Sequence, residues 1–156
     1  MKNFIKLPAS IIGCELVGIM GSIFTRDTIP TWYVYINKPV FSPPNWIFGP
    51  VWTTLYCLMG ISFYLIWSQG WHKKAVKNAG QTFLAQLALN FLWTPLFFGL
   101  KSPLLGLITI IALWILIVLT MKKFYPLSKT AFYLLIPYLL WVSFATILNG
   151  AIWWLN

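Results

Sequence analysis

Negative charge is almost missing from this chain of 156 residues: Glu15 and Asp27 are its only acids, and charged residues of both signs make up 8%. Histidine occurs once, as His72 in a basic stretch with no ligand-type residues beside it, and that pattern reads as a solvated side chain. Cysteine occurs twice, as Cys14 and Cys57, each inside an apolar run where a thiol behaves as a small hydrophobe. These shortages leave no disulfide framework, no metal-ligand spacing and no hydrolytic centre, so no metal and no required cofactor are expected. The net charge of +9 does not mark a nucleic-acid binder, because the bases sit in the gaps between apolar runs and form no tract of their own.

What fills the chain is hydrophobic surface, 60% of all residues, a share that belongs in a lipid bilayer. A helix needs roughly 20 apolar residues to cross the hydrocarbon core. Uncharged runs of that order fall at Leu7 to Phe24, Trp46 to Ser68, Ala79 to Leu100, Leu104 to Met121 and Ala131 to Trp154. The expected fold is all-α, an integral membrane bundle of five transmembrane helices forming a single domain over residues 1–156. Two early lysines and no small-residue cleavage site make the first run a retained helix, not a removed signal peptide. Alternating the sides puts Lys2, Lys6, Lys73, Lys74, Lys77, Lys122, Lys123 and Lys129 on one face, against Arg26, Lys38 and Lys101 on the other. By the positive-inside rule the amino terminus is cytoplasmic and the long first loop faces out.

That loop runs into the second span as WYVYINKPVFSPPNWIFGPVWTTLY, Trp32 to Tyr56, with four prolines and eight aromatic residues. Pro43-Pro44 excludes helix just before it and lets one begin just after. Three spans then carry aromatic and polar residues at helical spacing: Phe48, Trp52 and Tyr56 in the second; Gln86, Asn90, Trp93 and Phe97 in the third; Tyr138, Trp141, Ala145 and Asn149 in the fifth. Polar groups in lipid must find a partner or a wet cavity. Turned inward together, the stripes predict a cavity, and their flat rings paired with amides suit a planar apolar ligand better than plain packing. Pro95 and Pro137 interrupt helix bonding and are expected to make room near one level. Glu15, near the middle of the first span, shares a face with Ile11, Gly18 and Ser22, so close helix approach is expected to shield it and supply a hydrogen bond. A neutral structural carboxyl and a proton-linked role are both open for it.

Three stretches, WYVYINKPVFSPPNWIFGPVWTTLY, ALNFLWTPLFFG from Ala88 to Gly99 and PYLLWVSFATILN from Pro137 to Asn149, closely resemble the tryptophan-rich sensory protein and translocator protein family, TspO/MBR, whose animal members are the peripheral benzodiazepine receptors. The resemblance covers nearly the whole chain. It implies a membrane receptor or sensor, commonly a homodimer, binding tetrapyrroles such as protoporphyrin and haem, and synthetic benzodiazepine-receptor-type ligands, in a pocket covered by the first loop. Matched motif by motif, the ligand contacts would be Tyr33, Pro43, Phe48, Trp52, Tyr56, Asn90, Trp93, Trp141 and Ala145, with Trp52 and Trp141 as flat walls and Asn90 as a polar orienter. An alternative the resemblance carries is light- and oxygen-dependent degradation of bound porphyrin, with Trp52 and Trp141 as the catalytic residues; porphyrin transport is a second. A bacterial cell membrane is the expected location. After Leu148-Asn149 this chain lacks the tyrosine and arginine of the animal cholesterol pattern, so high-affinity cholesterol binding is not expected. On the third span, Gln81, Ala85 and Ala88 supply part of a close-packing face for dimerisation.

Overall fold

A computed structural model describes residues 3–156, all of whose regular structure is helical; Lys2 lies outside the described residues. Helix α1 spans Asn3–Arg26 and is followed by a short α2, Thr28–Thr31, and a turn at Tyr33–Tyr35. A turn at Asn45–Ile47 leads into α3, Phe48–Trp67, then α4, Lys74–Thr94, which widens into a π-type turn at Pro95–Gly99. Helix α5 covers Pro103–Phe124, α6 Lys129–Leu134 and α7 Ile136–Leu155. Five of these stretches are long and apolar enough to cross a membrane: Phe4–Thr31, Asn45–Trp67, Lys74–Gly99, Pro103–Phe124 and Lys129–Leu155. The five-span, all-α architecture expected from the apolar runs is therefore the one observed.

Helix ends follow from local chemistry. Ser102 Oγ accepts a hydrogen bond from Leu105 N at 3.1 Å and Pro103 starts α5, so a side-chain cap and a preset φ begin the helix. Ser128 Oγ caps α6 in the same way through Ala131 N at 3.1 Å. Pro137 has no N–H to offer the preceding turn, and the fifth span accordingly breaks at Leu135 and resumes as α7. Pro95 breaks the third span differently: Leu100 N donates to Pro95 O at 2.9 Å and Ser102 N to Phe97 O at 3.1 Å, five-residue steps that widen the helix.

Small residues set the closest crossings. A Cβ on Gly60 would sit 2.5 Å from Ile11 Cα, so α1 and α3 touch backbone to backbone, and Ser10 Oγ donates to Gly60 O at 2.7 Å across the same contact. Met59, Ile66, Phe83, Leu113, Ile117, Phe124 and Val142 fill the centre of the bundle. The outward faces are equally apolar: Ile12, Ile19 and Ile23 on α1, Ile108 and Ile115 on α5, Leu140 and Ile147 on α7 are exposed, as lipid-facing positions are. Lys6 Nζ lies 5.3 Å from the Trp67 ring, which puts the start of the first span beside the end of the second and the lysine-rich connections at one end of the bundle. Tyr35, Trp46 and Trp154 stand exposed at the opposite end, where an interfacial aromatic belt belongs.

One expectation about the prolines does not hold. Trp93 pairs with Asn149 and Asn90 with Tyr138, so α4 and α7 reach each other through long side chains and run in the same direction. Pro95 then lies level with the carboxyl end of α7, whereas Pro137 lies at its amino end. The two breaks sit on different levels because they serve different purposes, one widening the mouth of the bundle and one bending its base.

Candidate functional site

Beneath the first loop the bundle encloses a cavity of about 370 Å³, within the roughly 300–1,000 Å³ range of small-molecule sites. Helix α3 contributes Phe48, Trp52 and Tyr56; α4 and its wide turn contribute Asn90, Trp93, Phe97 and Phe98; α7 contributes Trp141, Ala145 and Asn149. The roof is Tyr33, which is almost wholly buried. Eight of the nine predicted contacts thus come together around one space. Pro43 is the exception: it is half-buried in the loop but does not line the cavity, because its ring orders the chain before Asn45, which does.

The aromatic walls hold each other edge to face, the arrangement their quadrupoles favour. Phe48 and Trp141 have ring centroids 6.0 Å apart at 71°, and Trp52 meets Tyr138 at 6.3 Å and 73°, while the Tyr56 ring lies tilted against Trp52 at 5.6 Å and 32°. Trp93 stacks on Phe97 at 5.0 Å, and its Nε1 donates to Asn149 Oδ1 at 3.0 Å. Asn149 is fixed in turn by donating from Nδ2 to Pro103 O at 2.8 Å. Gly106 makes this corner possible, since a Cβ there would meet the Phe97 ring at 2.6 Å and Asn149 Oδ1 at 2.9 Å.

Below the walls runs a buried polar chain linking three spans. The Tyr56 hydroxyl donates to Asn90 Oδ1 at 2.5 Å, Asn90 Nδ2 donates to the Tyr138 hydroxyl at 2.9 Å, and that hydroxyl donates to Gln86 Oε1 at 2.7 Å. Both polar atoms of Asn90 are therefore engaged within the protein, so this cavity-lining residue also ties three helices together. Among the described residues, three buried side-chain polar atoms lack a hydrogen-bond partner: Glu15 Oε1, Gln86 Nε2 and Trp141 Nε1. Glu15 and Trp141 line the cavity.

The α1 wall was not selected as part of the site by sequence reasoning. Glu15, Gly18, Ser22 and Thr25 all face the cavity. Their signal was present as a small and polar face, read there as helix contact alone. The hydrogen bond expected for Glu15 from that face is absent because the Ser22 hydroxyl donates to Ile19 O at 2.6 Å. Close approach does occur: a Cβ on Gly18 would lie 2.5 Å from Tyr56 Cε2.

The loop is clamped at its outer edge. Lys38 Nζ donates to Tyr33 O at 2.7 Å and Ile36 O at 3.2 Å and lies 4.8 Å from the Tyr33 ring centroid, tying loop and roof together. Asn37 and Asn156 exchange hydrogen bonds, from Asn37 N to Asn156 Oδ1 at 3.1 Å and from Asn156 Nδ2 to Asn37 O at 2.8 Å. Burial raises the Tyr33 phenol pKa above its ordinary 10.0, and a hydrogen bond with Ser42 opposes the shift.

Comparison with known proteins identifies what this arrangement resembles. The profile of the TspO/MBR family matches residues 10–155. The tryptophan-rich protein TspO of Archaeoglobus fulgidus is 51% identical over 155 residues, covering 99% of both chains. Human translocator protein is 38% identical over 147 residues, covering 93% of this chain and 84% of its own length. The tryptophan-rich sensory protein of Cereibacter sphaeroides is 38% identical over 142 residues, covering 89% and 84%.

Proposed function

The chain belongs to the TspO/MBR family of membrane proteins, and from that premise we propose that it is a receptor or sensor holding a planar tetrapyrrole, such as protoporphyrin or haem, in the cavity under the first loop. The observation that carries this reading is the Trp141 indole N–H. It is buried, has no acceptor, and belongs to a ring that lines the cavity together with Phe48 and Trp52. A donor left unpaired in an apolar wall is costly unless a ligand supplies the acceptor. Flat rings on α3 and α7 suit a flat guest. Synthetic benzodiazepine-receptor-type ligands fit the same description.

Porphyrin titration of the purified protein, followed by quenching of tryptophan fluorescence, tests the reading. Trp52→Phe and Trp141→Phe are each expected to weaken binding. Unchanged affinity in both variants sinks this placement of the pocket.

A second reading, light- and oxygen-dependent degradation of the bound porphyrin, is favoured by Trp52 lying against the Tyr56 and Tyr138 rings, three oxidisable side chains in contact. Loss of porphyrin absorbance with a defined product, abolished in Trp52→Phe and Trp141→Phe, would establish it; bleaching at the rate of free dye mixed with tryptophan would remove it. The asymmetry of the lysines supports a cytoplasmic amino terminus. Exposure of Gln81, Ala85 and Ala88 beside Leu84 and Leu92 on α4 supports that face as a homodimer contact.

A further inference from the structure

Glu15 is the one cavity group that the receptor reading leaves without a task. Its Oε1 is closed off from solvent and has no hydrogen-bond partner. Hydroxyls around it are committed elsewhere: Tyr56 on α3 donates to Asn90, and Ser22, two turns along α1, donates to Ile19 O. The helix itself brings no base between Lys6 and Arg26. An unpartnered carboxyl in a mostly apolar cavity is expensive, so its retention at a ligand-facing position calls for a donor from outside the chain.

Depth fixes which part of the ligand it meets. Glu15 and Thr25 line the same cavity ten residues apart on one helix, a rise of about 15 Å at 1.5 Å per residue. Thr25 lies at the loop end, so Glu15 marks the floor, next to Tyr56 and Asn90. The side chains lining the cavity thus include two unpaired groups of opposite sense, an acceptor on α1 and the Trp141 donor on α7.

We propose that Glu15 is a specificity-determining residue that accepts a hydrogen bond from an N–H group on the inner edge of a planar ligand, while Trp141 donates to an acceptor on the same molecule. The inference rests on the ligand-binding reading of the cavity and selects among its guests: a secondary carboxamide carries an N–H on its rim, whereas protoporphyrin carries its N–H groups at the centre of the macrocycle and haem carries none, so neither makes this bond. A ligand bearing carboxylates turns them away from Glu15 and toward the mouth, since two like charges on the cavity floor repel.

Two probes that differ by a single N–H decide it: a secondary isoquinoline carboxamide and its N-methylated tertiary counterpart, titrated against the full chain in lipid nanodiscs. Glu15→Leu is expected to weaken the N–H probe about tenfold, as the loss of one desolvated hydrogen bond does, and to leave the N-methyl probe unchanged. Glu15→Gln keeps a carbonyl acceptor and is expected to restore most of the affinity for the N–H probe. The N-methyl probe also reports that Glu15→Leu is folded. Equal changes for both probes, or no change for either, overturn the role of Glu15. If Trp52→Phe and Trp141→Phe leave both probes bound as before, the cavity reading itself fails and takes this inference with it.

Discussion

Replacing Tyr138 by Phe deletes one oxygen from the centre of the bundle and with it two hydrogen bonds, the one Tyr138 donates to Gln86 and the one it accepts from Asn90. Tyr138 is fully buried, and Gln86 Nε2 already lacks a partner, so the side chains left behind have no local substitute. Hydrogen bonds between membrane helices are worth about 0.6 kcal/mol on average and up to about 1.7. Two of them place the loss of stability at roughly 1–3 kcal/mol. Tyr56→Phe removes a single bond and should cost about half as much. The two substitutions share Asn90, whose carboxamide can turn toward Gln86 once both hydroxyls are gone, so the double variant should lose less than the sum of the singles. Reversible unfolding in mixed micelles, read by near-ultraviolet circular dichroism, measures all three. Because Tyr138 does not line the cavity, Tyr138→Phe should destabilise without a matching loss of porphyrin affinity in the folded fraction. An unchanged or raised stability for Tyr138→Phe, or strict additivity of the pair, would refute the polar chain as a working element.

Gly60→Ala should cost about 1–3 kcal/mol, since its Cβ would meet Ile11 Cα at 2.5 Å and helices must part to admit it; Gly13→Ala, with nothing within 4 Å, should be tolerated, and equal thermal midpoints for the two would deny the close crossing. Asn156→Ala removes two of the three hydrogen bonds that hold Asn37 to the end of α7 and should speed porphyrin release in stopped-flow experiments, whereas an unaltered off-rate would mean the loop is held elsewhere. The raised pKa of the Tyr33 phenol means the fold prefers its neutral form. Its contribution is complete below the ordinary pKa of 10.0 and is lost as pH rises through the higher folded value. Alkaline unfolding of the loop, followed by Trp fluorescence, should therefore lose one component in Tyr33→Phe; an identical alkaline profile would contradict this.

The five spans were legible because lipid imposes one rule on every outward face, and runs such as Leu104 to Met121 have no other use. The stripes on α3, α4 and α7 were legible for the same geometric reason, a repeat near four residues. Phe97 and Phe98 show where periodicity stops helping. They are neighbours in sequence, yet both line the cavity because the wide turn after Pro95 rotates the chain between them. The wall formed by Glu15, Gly18 and Ser22 was visible as a face, but a face of small residues reads equally as helix packing, and only the position of Tyr56 over Gly18 resolves it. The prolines mark breaks without marking depth, which depends on how α4 and α7 are paired. Nothing in a single sequence could pair Asn37 with Asn156, 119 residues apart.

A structure of the protein with protoporphyrin bound tests the site most directly. The macrocycle is expected between Phe48, Trp52 and Trp141 under the Tyr33 roof, with an acceptor on Trp141 Nε1. Protoporphyrin seated instead in the outer groove formed by Ile111, Trp114, Ser143 and Thr146, with the inner cavity unfilled, would contradict it.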